Sequence, residues 1–170
     1  MPEILAFGRD AAAPDFWPEV PRSSRINGMD VDVPSAVLLP VTGLGAFGWP
    51  AISGHRDGRD FLLDFSGWAA RRHGVKTILS ASDDIAGIDI EISILASQTG
   101  VFGLSTRLTS NKDGVYTLDR CMAGTFLLPA GAATATRFTG MWGREFQGRR
   151  HHLAPGITLQ ESRRGRTSHD

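Results

Sequence analysis

Apolar and polar residues alternate most strictly in "GIDIEISILAS". Ile88, Ile90, Ile92 and Ile94 recur at every second position, with Asp89, Glu91 and Ser93 between them. Successive strand side chains point to opposite faces, so this spacing sets four isoleucines against a core and the acids toward water. A run of β-branched residues is also poor helix material. The segment is predicted as a half-buried strand. "VFGLSTRLTS" continues the alternation through Phe102, Leu104, Thr106 and Leu108, and "GVYTLDRCM" does so less cleanly through Tyr116, Leu118 and Arg120. "SQTG" and "SNKDG" separate these runs. Asn111, Asp113 and Gly114 supply turn chemistry, so three strands in an antiparallel meander are expected.

Further strands are predicted at 35–39, 60–65, 75–82, 124–128 and 135–139. The one helix-like piece is "SGWAARRHG", whose flanking glycines limit it to a turn or two. Many short strands with frequent turns point to an all-β chain, an antiparallel β-sandwich. The first part is less regular. "AAAPDFWPEVPRSSRINGMD" holds three prolines and reads as extended coil. Gly43, Gly45 and Gly48 match a G-x-G-x-x-G spacing, but Pro50 and Gly54 interrupt any helix after them, so a dinucleotide site is not expected.

Length and charge narrow the classes. A chain of 170 residues can bury a sizeable core, about 70% of its unfolded surface. Its 18 basic and 18 acidic side chains cancel, so no global field draws it to nucleic acid or an anionic membrane. The imbalance is local. From Arg144 onward there are six arginines and three histidines against Glu145, Glu161 and Asp170. Cys121 stands alone, which leaves no disulfide within the chain and no thiolate metal site. "MPEILAFGRD" lacks the pattern of a secretion signal, and no run approaches the ~20 apolar residues of a membrane helix. A soluble, cytoplasmic protein is the resulting expectation.

Candidate chemistry is sparse. His151 and His152 are adjacent and would face opposite sides of a strand, while His55, His73 and His169 are scattered, so no metal site is expected. Ser168, His169 and Asp170 are contiguous and cannot adopt triad geometry. The carboxylate pairs Asp57/Asp60 and Asp83/Asp84 read as turn chemistry. Glu145 and Glu161 lie instead among aromatics and arginines, where bidentate pairing would depress their pKa and suit an anchor better than a general acid. No catalytic pair and no cofactor are predicted.

The closing segment "TGMWGREFQGRRHHLAPGITLQESRRGRTSHD" resembles the family 36 glycoside hydrolases of the bacterial α-galactosidase type. The resemblance rests on "GMWGRE", the paired arginines after it, and above all "ESRRGRTSH". "FGWPAISGHRDGRDF" and "NKDGVYTLDR" also look like that family's N-terminal sandwich. Residues 1–170 then read as part of a large N-terminal β-sandwich (a supersandwich), truncated at both ends. The resemblance implies hydrolysis of terminal α-galactosides with retention of configuration. Its nucleophile and acid/base aspartates would belong to a (β/α)₈ barrel absent from these residues. The implied partners are that barrel, an α-galactoside substrate in the whole enzyme, and sister copies in a homo-oligomer.

The arginine-rich region gives the candidate site. Trp142, Arg144 and Glu145 come from the first motif; Glu161, Arg163, Arg164 and His169 come from the second. A flat indole and rigid guanidinium forks can clamp a second layer of structure or line the rim of a sugar site, and docking is the preferred reading. Two other classes stand beside it. A stand-alone carbohydrate-binding sandwich would need a row of exposed aromatics, but Trp17, Trp49, Trp68 and Trp142 are widely spaced. An RNA-binding β-domain would need paired aromatics on adjacent strands, which the pattern does not supply.

Overall fold

The computed structural model describes residues 1–4, 37–45, 48–126, 128 and 131–162. The chain divides into two compact units, Met1–Leu127 and Leu128–Asp170. Six strands belong to the first: β1 (Ile52–His55), β2 (Ser66–His73), β3 (Lys76–Asp83), β4 (Ile88–Ala96), β5 (Phe102–Ser110) and β6 (Thr117–Cys121). The second holds β7 (Thr134–Met141) and β8 (Arg144–His152). Every named strand pair is antiparallel, and the helical content among the described residues is a 3₁₀ turn at Thr42–Leu44. The all-β antiparallel class read from the sequence is the one observed.

A four-stranded sheet of order β2-β3-β4-β5 organises the first unit. The isoleucine strand is β4, one of its two central members. Ile88, Ile90 and Ile92 are buried on one face, while Glu91 is exposed and Asp89 half-buried. Each such side chain contributes roughly 1.5–3 kcal/mol by leaving water. Ala81 of β3 joins them. Ala51 and Ile52 at the start of β1 pack against the same cluster, with Leu39, Val41, Leu63 and Phe65 from the connecting segments. The core thus lies against the sheet, covered by the start of β1 and by these connecting segments.

Three readings of the pattern change. The predicted helical turn at "SGWAARRHG" is strand β2, because its backbone pairs with β3 from Ser66↔Ser82 to His73↔Lys76. Gly67 and Trp68 form an irregularity there, with the Trp68 ring edge-on to Phe65 at 6.4 Å. The third strand of the expected meander, β6, leaves the sheet and pairs with β1 instead of β5. Of the other predicted strands, 60–65 runs as coil, and so do the described residues of 124–128; 35–39 lies partly outside the described residues.

Arg56 explains the departure of β6. One terminal nitrogen donates to the carbonyls of Asp113 and Gly114, at 3.2 and 2.7 Å. The other donates to the Ala86 carbonyl and the Ser110 hydroxyl, at 3.2 and 3.0 Å. Its Nε faces Asp60 at 3.5 Å without an aligned hydrogen bond, and the guanidinium lies over Tyr116. The loop after β5 is thereby held toward β1 rather than folded back along the sheet edge. Arg56 itself closes a two-residue Asp57–Gly58 turn with Arg59, both turn residues at positive φ, as a type I′ hairpin requires. Gly54 stands at a bulge in β1. A Cβ there would lie 2.5 Å from both the Thr117 carbonyl and the Tyr116 ring, so no side chain fits.

Candidate functional site

The carboxylate pairs settle first. Asp83 is buried. One of its oxygens accepts the amides of Ile85 and Ala86, each at 2.9 Å, and the other accepts that of Asp64 at 2.8 Å. A carboxylate committed to three backbone donors fixes the β3–β4 connection. Asp57 and Asp60 both have left-handed backbone; Asp57 is the first residue of the Asp57–Gly58 turn and Asp60 follows its closing residue, Arg59. The turn reading of both pairs holds.

Around Asp83 lies an open cleft of about 510 Å³, lined by Asp60, Asp64, Asp84, Phe61, Leu62 and Ile85 together with Ser66. Its lining contains no basic residue. Phe61 is 63% exposed and Ile85 79%. Close by, burial pushes the Tyr116 hydroxyl above its ordinary pKa, and the Asp60 carboxylate adds to the effect. Burial likewise raises the Cys121 thiol, which disfavours its reactive thiolate.

The arginine-rich candidate residues fall on the second unit. β7 and β8 form a two-stranded hairpin closed by Trp142 and Gly143, with Met141 paired to Arg144. Gly143 has φ +78°, a conformation natural to glycine, and it lets the strands reverse in two residues. Trp142 stands at the tip, 81% exposed. Arg144 begins β8 and is exposed; Glu145 follows, accepting the Gly143 amide at 3.0 Å across the turn. An extra residue in β8 makes a bulge opposite 139–141, and there Phe146 has φ +55°. An aromatic residue in left-handed backbone is strained, and bulges re-aim side chains. Phe146 meets Phe138 edge-on at 6.5 Å.

Glu161 lies exposed beyond β8, near Gln160, whose amide reaches back to the Phe138 carbonyl at 2.8 Å. Arg163, Arg164 and His169 lie outside the described residues. Trp142, Arg144 and Glu145 are therefore brought together by one turn. His151 and His152 occupy successive β8 positions opposite Ala135 and Thr134, hence opposite faces, as the sequence implied.

Sequence reasoning did not single out Arg137. The register sets it directly opposite Arg149, and His151 opposite Ala135 on the same face. Like charges in direct cross-strand register are unfavourable. Arg137 Nε and His151 Nδ1 are shielded from solvent and have no hydrogen-bond partner. Among the described residues, none of Arg137, Arg144 and Arg149 forms an ion pair. The available signal was spacing: residues 137 and 149 are equidistant from the Trp-Gly turn once the bulge is counted.

Comparison with known proteins adds the family. The sequence description of the glycosyl hydrolase family 36 N-terminal domain matches residues 1–170. An alpha-galactosidase of Escherichia coli is 29% identical over 164 residues, covering 93% of this chain and 22% of that protein. The chain thus spans less than a quarter of that relative's length. No solved structure matches.

Proposed function

The chain belongs to the glycosyl hydrolase family 36 N-terminal domains, and from that premise we propose that it is the non-catalytic β-domain of an α-galactosidase. The observation that carries the reading is the family match over the whole chain, joined to similarity with one portion of an alpha-galactosidase. Hydrolysis of terminal α-galactosyl groups, with retention of configuration, is assigned to a (β/α)₈ barrel beyond these residues, where two carboxylates flank the scissile bond. Asp83, the best-buried acid described, accepts three backbone amides as a structural anchor.

The part assigned to this chain is docking. Trp142, Arg144, Glu145 and Glu161, with Arg163, Arg164 and His169, hold the domain against its barrel or a sister subunit in a cytoplasmic homo-oligomer. Arginines of an exposed hairpin that form no ion pair among the described residues support that role, because guanidinium forks recognise carboxylates bidentately. The test is direct: the purified 170-residue chain, incubated with a chromogenic α-galactoside, should release no chromophore. Turnover that persists through purification and vanishes on a single Asp→Asn exchange in the chain would place chemistry here and end the reading.

A further inference from the structure

Two surfaces of this chain are complementary in sign and both expose apolar side chains. One is the arginine face of the β7–β8 hairpin, where Arg137 opposes Arg149 and Arg144 opposes Met141. No carboxylate pairs with these three arginines among the described residues, and Met141 and Trp142 stand exposed at the tip. The other is the acidic cleft of the first unit. Asp64 and Asp84 are exposed there, neither carboxylate in an ion pair among the described residues, beside exposed Phe61, Leu62 and Ile85.

We propose that the hairpin of one copy of this chain docks into the acidic cleft of a second copy. The contact would set carboxylates against the opposed Arg137 and Arg149, removing the like-charge conflict that the register builds into the hairpin. It would also cover Trp142 and Met141 with Phe61, Leu62 and Ile85, giving an apolar centre inside a charged rim. The surfaces differ, so the contact is heterologous. A two-fold exchange of hairpins or a closed ring satisfies both surfaces on every copy. This deepens the docking reading above and rests on it, naming the partner as another copy.

Charge reversal tests it on the 170-residue chain, read by sedimentation velocity. The unaltered chain should self-associate, and association should weaken in about 1 M salt, where the screening length falls to ~3 Å. The hairpin variant Arg137→Glu/Arg149→Glu and the cleft variant Asp64→Arg/Asp84→Arg should each raise the self-dissociation constant at least about tenfold. Mixed together, the two variants should form heteromers, because reversed hairpin meets reversed cleft while native hairpin meets native cleft. Heteromers also prove that both variants are folded. A chain monomeric at every concentration overturns the proposal, as does association indifferent to both reversals. Loss in the hairpin variant alone, with no heteromer on mixing, sends the hairpin to another acidic surface. That outcome overturns the pairing while sparing the docking reading, and neither result touches the galactoside test.

Discussion

Strand β4 and each strand of the β7–β8 hairpin are built from similar lengths of antiparallel backbone, 9 residues against 8 and 9, yet almost nothing else about them is alike. β4 has neighbours on both sides and hides three isoleucines on one face. The hairpin has no buried residue among those described in its unit, and carries arginines where β4 carries isoleucines. One strand exists because burial fixes its register; the other holds its register through a glycine turn and a bulge. Side chains that serve no core are available for another surface. The contrast therefore separates residues that make the fold from residues that present something to a partner.

Three substitutions sharpen that division. Ile92→Ala empties a fully buried site and should cost about 2–5 kcal/mol. A urea transition shifted by less than about 1 kcal/mol would mean that β4 is not the centre of the core. Asp83→Ala leaves three amides at the β3–β4 connection without their acceptor and should cost about 1–3 kcal/mol. Hydrogen exchange at Asp64, Ile85 and Ala86 should accelerate together; unchanged protection there would show that other acceptors hold the turn. At the far end of the scale, Trp142→Ala should change folding stability by less than about 0.5 kcal/mol. A large loss of stability from that exchange would erase the distinction between the two regions.

The part of the fold legible in sequence was the part governed by burial. The alternation at 88–94 identified β4 because one face had to be apolar, and β5 followed for the same reason. β2 was not legible. Trp68, Ala69, Ala70, Arg71 and Arg72 carry no alternation, since nearly all its residues are exposed at a sheet edge, where charge is a protection against further pairing. The partner of β6 was hidden because a short turn suggests a sequential neighbour, while the deciding contacts come from Arg56, more than fifty residues upstream. The hairpin half-emerged: 135–139 was marked as strand, but β8, with its arginines and histidines, offered no hydrophobic period. At the site, Trp142, Arg144 and Glu145 were found through family motifs, whereas the Arg137–Arg149 opposition needed the bulge to be counted. The turn role of Asp83 was legible from its neighbours, but not its third donor, the amide of Asp64, nineteen residues upstream.

The vacant Cβ position at Gly54 has a consequence that reaches beyond its own strand. The ring edge that occupies this space belongs to Tyr116, and the Arg56 guanidinium lies over that same ring, 5.5 Å from its centroid. A single added carbon would nudge the phenol, tilt the cation lying over it, and loosen the hold on the carbonyls of residues 86, 113 and 114. Sheet choice for β6 thus depends on the smallest side chain in the alphabet, and a methyl group would be felt three segments away.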